Sequence, residues 1–483
     1  MHVEMALLRS TPEEKGVDSI TISRFLERIE EEKIELHSFM MARHGSVIAE
    51  GWWTPYKPDY KHMLFSMTKS FTALAMGFAI SEGLVSLEEE VRSFFPGMKK
   101  RAKSKFREIR VKDLLTMSVG HTKPTMGGEL RQLQGSWVEH FFQLAVEHEP
   151  GIHFQYNSLA SHMVSAIIQQ ATGLKMADYL QPRLFDPLGI MKPSWDTSPE
   201  GNTTGGGGLS LKTEDIAKFG QFILQKGSWK GKQLLPAAWV EEATACQITT
   251  GDSLEDQQSY GYQFWRCRHD AYRADGKFGQ LCIVMPAQDT VIAITSGCDN
   301  AGKILDQVWE NLFPAIRNQP LQINEQGHKS LITKMSHRIL PIPSYPISTS
   351  PISSNVSGKI FRMDENLDHV EEIVFVFGAD FCQFRLKDDQ GEHEILCGYQ
   401  TWLDGTTTMT GHNLHHHYQP DQLKVSARAG WRNQHELELT WCFVETPFTD
   451  TVVCHFQGNR LSLNRSVNTD KAVERPTIYG KWI

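Results

Sequence analysis

Hydrophobic residues follow two different spacings along the chain. In the N-terminal two-thirds they recur every three or four positions, which predicts amphipathic helices. One such helix runs from a cap at Asp18 or Ser19 through Lys33. Its apolar face consists of Ile22, Phe25, Leu26 and Ile29. From Gly358 onward apolar and polar residues alternate, which predicts strands with one buried face. The chain is therefore predicted to combine a mixed N-terminal domain with an all-β C-terminal domain.

Strand patterns also interrupt the helical part. The stretch SFMMARHGSVIAEGWW, residues 38–53, predicts two strands around the turn His44-Gly45. Two β-branched runs, residues 281–285 and 290–297, predict a further pair of strands. Between Gly83 and Gly151 the pattern predicts mostly helices with loops. The pattern predicts an α/β (α+β) domain, in which an antiparallel sheet is flanked by helices and accompanied by a helical subdomain.

The C-terminal part begins after a stretch that is rich in proline and serine. Residues 336–357, SHRILPIPSYPISTSPISSNVS, leave few side chains to pack and predict an extended linker. The short alternating segments beyond it predict a small antiparallel β-barrel or sandwich. The predicted domains are residues 1–335, the linker 336–357, and residues 358–483. The last domain carries apolar surface that could cover a cleft or join protomers of a homo-oligomer, at Trp402, Trp431 and Trp441.

Composition narrows the functional classes. The 483 residues exceed what one hydrophobic core usually holds. Forty-nine basic and 57 acidic residues give a formal net charge of −8, so no chain-wide basic field exists for nucleic acid or an anionic membrane. No N-terminal segment resembles a signal peptide, and no apolar run reaches the length of about 18 residues that spans a bilayer. The eight cysteines are scattered without a C-x-x-C pair, which predicts reduced residues of a cytoplasmic protein.

Ser66 and Lys69 lie at the start of a predicted helix that ends at Gly83. In the first turn, Ser66 would lie near backbone N–H groups and the positive end of the helix dipole, which stabilise an oxyanion. Lys69 comes round to the same face. Because a buried lysine loses its proton more easily, Lys69 is a candidate base for a Ser66 nucleophile. An N-cap serine followed by a solvated lysine would give the same short pattern.

Tyr156, Asn157 and Ser158 form a second polar group, between the turn Pro150-Gly151 and a predicted helix that ends at Gly173. A turn just ahead of a helix can aim polar side chains into a cleft while the helix holds them rigidly. In the alternative, structural interpretation, the Tyr156 ring covers a core and Ser158 caps the helix.

Two glycine-containing segments complete the candidate chemistry. The run Gly205 to Gly208 allows a close backbone approach, but Gly-Lys-Ser/Thr does not follow it, so we exclude a phosphate-binding P-loop. Gly276 and Lys277 precede a predicted strand. A backbone N–H at that strand edge could face the Ser66 N–H and form an oxyanion hole, with the Lys277 side chain in solvent.

Five ordered segments resemble one family of hydrolases. They are S-M-T-K at 66–69, LLTMSVG at 114–120, Y-N-S at 156–158, GGGGLSLKTEDIAKFG at 205–220 and A-D-G-K-F-G-Q at 274–280. Together they are similar to the serine β-lactamase and penicillin-binding-protein superfamily. The nearer resemblance is to its class C-like esterase and 6-aminohexanoate-dimer-hydrolase branch. The C-terminal domain resembles the lipocalin-like β domain that is appended to some of these hydrolases.

The resemblance implies a serine hydrolase that forms an acyl-enzyme intermediate on carboxylic esters or small amides. Ser66 would be the nucleophile, with Lys69 and Tyr156 as general base and acid. The backbone N–H groups of Ser66 and Lys277 would form the oxyanion hole. Further residues expected to bind or orient the substrate are Asn157, Ser158 and Gly276. The resemblance implies no metal and no cofactor.

Two departures from the family pattern bear on the substrate. Ser158 stands in the third place of the family's Tyr-x-Asn motif, and Ala274-Asp275-Gly276 replaces Lys-Thr-Gly, whose Lys and Thr engage a β-lactam carboxylate. Both departures favour an esterase or amidase over a β-lactamase or D,D-peptidase. A non-catalytic ligand sensor or interaction scaffold is the alternative of a different class. It has no physical need for a nucleophile, a base and a phenol at these spacings.

Two remaining segments are interpreted as structural. The basic run Lys99 to Arg107 is typical of a solvated loop. His412 and the run His415 to His417 could hold a metal, but adjacent histidines point in different directions, so no native metal site is predicted. The expected partner is a small ester or amide substrate, without nucleic acid or membrane.

Overall fold

The structure, a computed structural model, describes residues 6–98, 107–251, 258–341, 345–347, 349–409, 411–469 and 475–482. Contacts within the chain divide it into two units. The first unit comprises Met1–Trp52, Lys61–Ser296 and Asn300–Arg338. The second comprises Trp53–Tyr60, Gly297–Asp299 and Ile339–Ile483. The basic residues 99–106 lie outside the described part of the chain.

The first unit combines a large sheet with helices, as its mixed pattern predicts. Its strands are β1 Leu8–Arg9, β2 Leu36–Arg43, β3 Ser46–Trp52, β4 His62–Met63, β5 Ser194–Trp195, β6 Leu209–Leu211, β7 Ser228–Trp229, β8 Lys232–Gln233, β9 Ile248–Thr249, β10 Ser259–Tyr260, β11 Trp265–Arg266, β12 Tyr272–Gly276, β13 Gln280–Met285 and β14 Thr290–Ser296. Its helices are α1 Ser19–Glu31, α2 Thr68–Ser81, α3 Val111–Leu115, α4 Gly127–Gln132, α5 Trp137–Gln143, α6 Ser158–Thr172, α7 Met176–Leu180, α8 Asp186–Leu188, α9 Thr213–Leu224, α10 Ala237–Thr244, α11 Ala301–Gln307 and α12 Glu325–Ser336.

Nine strands form the main sheet, in the order β1-β3-β2-β14-β13-β12-β11-β10-β9. The predicted hairpin around His44-Gly45 joins β2 to β3, and both turn residues have positive φ. All neighbours are antiparallel except β1 and β3, which pair in parallel. The antiparallel sheet flanked by helices is therefore confirmed, with one parallel edge pair that the sequence did not reveal.

Local sequence explains the helices that matter for the site. Asp18 accepts a hydrogen bond from Ile20 N at 3.0 Å and caps α1, whose apolar face is fully buried as predicted. Helix α2 is apolar on nearly every side and lies in the interior of the unit. Asn157 caps α6, and Gly173 ends it in the left-handed conformation. Helices α2 and α6 pack against each other and bring their N-terminal residues together.

The second unit contains a closed barrel. Its strands are β15 Ile360–Met363, β16 Glu372–Phe377, β17 Phe381–Asp388, β18 Gly391–Tyr399, β19 Leu403–Thr407, β20 Leu423–Asn433, β21 Glu436–Cys442, β22 Thr449–Gln457, β23 Arg460–Val467 and β24 Ile478–Lys481. Nine of them close through a parallel pair, β18 with β20, and β19 extends from β20. Alternate residues of β17 and β22 point inward, as the period of two predicts. The prediction of an all-β barrel or sandwich is thus confirmed as a barrel. The expectation that Trp431 and Trp441 form apolar surface is wrong, because both side chains are buried.

A histidine from the run considered for metal binding has another role in the barrel. His415 Nε2 lies 2.7 Å from Asp450 Oδ1, and Arg465 Nε donates to Asp450 Oδ2 at 2.9 Å. Burial alone would raise the pKa of Asp450, but the charges of Arg465 and His415 more than offset it and hold the pKa at about 2. His415 therefore belongs to an internal ion-pair network.

The stretch 336–357 differs from the extended linker that its composition predicts. Residues Ile352–Val356 form helix α13, and Leu340 and Tyr345 are buried. Tyr345 Oη donates to Glu438 at 3.2 Å. The proline- and serine-rich chain is covered by strands that are distant in sequence, which composition does not show. The contact boundary accordingly lies at Arg338.

A short N-terminal segment belongs to the second unit by its contacts. Within Trp53–Tyr60, the side chains of Trp53 and Tyr56 are buried, and Tyr56 Oη donates to Thr446 O at 3.1 Å. Lys57 forms an ion pair with Asp404. In the described part of the chain, no helix has both the length and the apolar character needed to cross a membrane.

Candidate active site

Ser66 lies in a tight turn between β4 and α2. The chain leaves β4 at Met63, and Phe65 to Met67 form one short 3-10 turn that leads directly into α2. Phe65 has φ +48°, a left-handed conformation that costs a bulky residue free energy. Its ring packs edge-on against Phe278 at 5.4 Å between centroids. A strained residue next to a partly exposed serine is typical of a functional site.

Lys69 is buried beside Ser66. Its side chain is 1 % exposed, and its Nζ lies 2.8 Å from Ser66 Oγ, 3.1 Å from Ser158 Oγ and 2.7 Å from Gly206 O. All three partners are neutral, and no carboxylate within the described residues bonds to Nζ. Burial removes the ammonium from water and lowers the pKa of Lys69 to about 7, although the charge of Asp275 acts in the opposite direction. Lys69 can therefore gain or lose a proton near neutral pH.

Tyr156 lies on the other side of Ser66. The Tyr156 hydroxyl lies close enough to Ser66 for the Ser66 side chain to lower its pKa. The Tyr156 ring lies 4.8 Å from Lys69 Nζ and stacks on Trp265, with 5.7 Å between centroids and 25° between planes. Burial raises the pKa of Tyr156, and the interaction with Ser66 opposes this rise only in part. The phenol therefore keeps its proton at neutral pH.

Of the neighbouring residues, Ser158 joins the cluster and Asn157 does not. Ser158 Oγ contacts Lys69 Nζ. Asn157 Oδ1 instead accepts a hydrogen bond from Leu159 N at 3.0 Å and caps α6, so its side chain is used within the protein. The cap of α6 is therefore Asn157 and not Ser158. The Asn157 side chain bonds within the helix cap instead of taking the substrate-orienting position that was expected for it.

The end of β12 approaches the serine turn from the opposite side. A Cβ on Gly276 would lie 2.1 Å from Leu64 O, so only glycine permits this approach. The following turn is held by Gln280 Nε2, which donates to Lys277 O at 3.2 Å and Ser296 O at 2.7 Å. The side chain of Lys277 is exposed, as predicted. The backbone of Gly276 and Lys277 is therefore fixed next to the segment that carries Ser66.

Sequence reasoning missed three contributors to the site. Gly206 supplies a carbonyl acceptor to Lys69, and a Cβ on it would lie 2.5 Å from Ser158 O. Trp265 supports the Tyr156 ring, and Arg273 pairs with Asp275 at 2.7 Å. The four-glycine run did indicate a close backbone approach, but its partner lies 137 positions from Lys69. Trp265 and Arg273 carried no comparable signal.

Metal-ligating side chains do not cluster among the residues that the structure describes. No group of three or more His, Cys, Asp or Glu side chains there is arranged to hold a metal ion. The chemistry that the described cluster can perform is nucleophilic attack by a hydroxyl with proton transfer through an amine and a phenol.

Comparisons with known proteins agree with this geometry. The model of the Beta-lactamase family matches residues 24–310, more than half of the chain. The 6-aminohexanoate-dimer hydrolase of Paenarthrobacter ureafaciens is 23% identical over 280 residues, which cover 53% of this chain and 71% of that protein.

Two solved structures show the same fold. A proposed 6-aminohexanoate-dimer hydrolase from Bacillus anthracis is 20% identical. The match covers 65% of this chain and 87% of that protein, with a TM-score of 0.53. A penicillin-binding protein homologue from Caulobacter crescentus is 16% identical. The match covers 64% of this chain and 100% of that protein, with a TM-score of 0.51. The resemblance inferred from the motifs is therefore confirmed. The chain belongs to the Beta-lactamase family, within the serine hydrolases of the β-lactamase and penicillin-binding-protein superfamily.

Proposed function

We propose that the protein is a serine hydrolase that acts on carboxylic esters or small amides through an acyl-enzyme intermediate. The observation that carries this proposal is the set of partners around Lys69. Its Nζ contacts the candidate nucleophile Ser66 together with Ser158 Oγ and Gly206 O, and has no carboxylate partner among the described residues.

These three partners suit both protonation states of Lys69. As an ammonium, Nζ donates to all three oxygens. As a neutral amine it has two N–H donors and one lone pair. Gly206 O can only accept, so it takes one donor, and Ser158 Oγ takes the second. The lone pair then accepts the hydroxyl proton of Ser66. Lys69 can therefore remove the Ser66 proton without rearranging its surroundings.

The reaction follows from this arrangement. Ser66 Oγ attacks the substrate carbonyl while its proton passes to Lys69. The carbonyl oxygen becomes negative and is stabilised by the backbone N–H groups of Ser66 and Lys277. Tyr156, which is neutral at pH 7, donates a proton to the leaving alcohol or amine and is reprotonated from Lys69. Water then attacks the Ser66 ester by the reverse sequence, with Ser158 keeping Lys69 oriented.

The choice of esters and small amides rests on the family pattern. Ala274-Asp275-Gly276 lacks the Lys and Thr of the β-lactam-binding motif, so cephalosporin turnover is expected to be slow beside ester turnover. The relative from Paenarthrobacter ureafaciens carries the name 6-aminohexanoate-dimer hydrolase, which supports the small-amide alternative.

Covalent labelling tests the proposal. A fluorophosphonate should modify the full-length protein at Ser66, as mass spectrometry of the labelled peptide would show. Ser66→Ala should lose both labelling and turnover of short-chain p-nitrophenyl esters. The matched control is Ser70→Ala on the same helix, because the Ser70 hydroxyl is buried and donates to Gln263 O at 2.6 Å. It should still be labelled. A wild-type protein that folds but is neither labelled nor active would instead support a ligand-binding scaffold.

A further inference from the structure

Asp275 lies on β12 between two residues that contact catalytic elements. On one side, Gly276 lies against the carbonyl of Leu64, two residues before Ser66. On the other side, Arg273 pairs across the sheet with Trp265, whose ring stacks on Tyr156. Asp275 thus belongs to the strand segment that connects the support of Tyr156 with the turn that carries Ser66. Its charge acts on both Lys69 and Tyr156.

One oxygen of the Asp275 carboxylate is held by Arg273, and the side chain remains partly exposed to solvent. Arg273 Nε donates to Asp275 Oδ2 at 2.7 Å, and the Arg273 side chain is only 1 % exposed. Asp275 itself is 20 % exposed. Within the described part of the chain, its other oxygen, Oδ1, accepts no hydrogen bond. A fixed and partly solvated carboxylate at this place is available to a bound molecule.

We propose that Asp275 selects substrates by charge, favouring an ammonium group near the scissile bond and rejecting a carboxylate there. This inference rests on the proposed function and adds the substrate class to it. An ammonium group beside Oδ1 would complete a second ion pair with an anion that the protein already holds in place. A carboxylate would lose its water and face a like charge.

Arg273 explains why an aspartate can be kept beside a reactive lysine. The buried guanidinium offsets part of the Asp275 charge, so the carboxylate raises the pKa of Lys69 without preventing the fall that burial causes. The substitution Asp275→Asn would remove the negative charge from this wall of the site and keep the positive charge of Arg273. The preference should then shift towards anionic substrates.

Matched esters measure this preference directly. Three phenyl acetates carry a trimethylammonium, a tert-butyl or a carboxylate group on the ring, and three p-nitrophenyl esters carry the same groups at the end of the acyl chain. For each series, kcat/KM is compared between the wild type, Asp275→Asn and Asp275→Glu. The matched control is Asp270→Asn, which removes an equal charge from a side chain that is 100% exposed. Ratios within one variant do not depend on the fraction of protein that is folded.

In at least one series, the ratio of kcat/KM for the cationic ester to kcat/KM for the anionic ester should fall about tenfold or more in Asp275→Asn. This is the size expected for the loss of one nearby unit charge. The ratio should be retained in Asp275→Glu and in the control. Unchanged ratios in both series would overturn the inference while leaving the hydrolase intact. Failure of every ester and of fluorophosphonate labelling in the wild type would overturn the proposed function, and with it the inference.

Discussion

Two buried lysines in the first unit have opposite surroundings. Lys69 at the start of α2 and Lys218 in α9 are each 1 % exposed. Lys218 Nζ lies 3.2 Å from Asp215 Oδ1 and donates to Gly189 O at 3.2 Å, so its charge has a partner of opposite sign. Lys69 Nζ instead contacts hydroxyl and carbonyl oxygens and lies 4.8 Å from the centre of the Tyr156 ring, and no carboxylate in the described part of the chain bonds to it.

The difference shows what distinguishes a reactive buried base from a structural one. Burial penalises both ammonium groups, but a carboxylate in contact repays much of that penalty. Without such a contact, a buried lysine avoids this desolvation penalty by losing its proton. Equal burial can therefore accompany either role, and the partner decides between them.

The substitution Lys69→Met should have the largest effect, on catalysis. Removing the proton acceptor of Ser66 is expected to lower kcat/KM for the best ester by about 10³-fold or more. Lys218→Met, which makes the same change at equal burial, should leave kcat/KM per folded molecule within about twofold of the wild type. Active-site titration supplies the folded concentration of Lys218→Met, and circular dichroism supplies the folded fraction of Lys69→Met. Equal losses in the two variants would abolish the distinction between the lysines.

The reverse order is expected for stability. Lys218→Met removes the cation that the buried Asp215 contacts, which should lower the free energy of unfolding by about 3–5 kcal/mol. Lys69→Met should cost less, because the folded-state pKa of Lys69 lies below its unfolded value. The wild-type lysine therefore opposes folding below pH 10, and most strongly below pH 7. Denaturant unfolding at pH 6 and pH 9 measures both effects, and a larger loss in Lys69→Met at pH 6 would contradict this account.

The smallest predicted effect is a shift of the pH profile. In the proposed mechanism neutral Lys69 is the base, so kcat/KM for a neutral ester should rise about tenfold per pH unit below a midpoint near 7 and level off above it. Asp275 raises the pKa of Lys69, so Asp275→Asn should move the midpoint to lower pH. Asp270→Asn should not move it. A midpoint that rises in Asp275→Asn would show that the lysine is not the titrating group.

The sequence predicted what depends on local pattern or on motif order. Alternation located most barrel strands, helical spacing located α1 and α2, and the order of the motifs brought Ser66, Lys69 and Tyr156 into one hypothesis that the structure groups in space. It missed β19 and β24. The first contains Asp404 and Gly405 without apolar alternation, and the second is four residues long with a glycine.

What the sequence could not supply depends on contacts between distant positions. The carbonyl of Gly206 has no side chain that could reveal it as a partner of Lys69. The stacking of Trp265 on Tyr156 depends on the register of β11 with β12. The side chain of Asn157 could have pointed into the cleft or towards the helix end, and only the backbone geometry of the α6 cap decides between the two.

The segment Trp53–Tyr60 has a consequence for how the chain folds during synthesis. Its residue Tyr56 bonds to Thr446, which is 390 positions later in the chain. At about 5–20 residues per second, a ribosome needs roughly 20 to 80 seconds to deliver that partner. During this delay the aromatic side chains of Trp53 and Tyr56, which are buried in the folded protein, lack the C-terminal residues of their own unit. We expect this interval to be the stage of biogenesis at which the nascent chain is most open to chaperone binding.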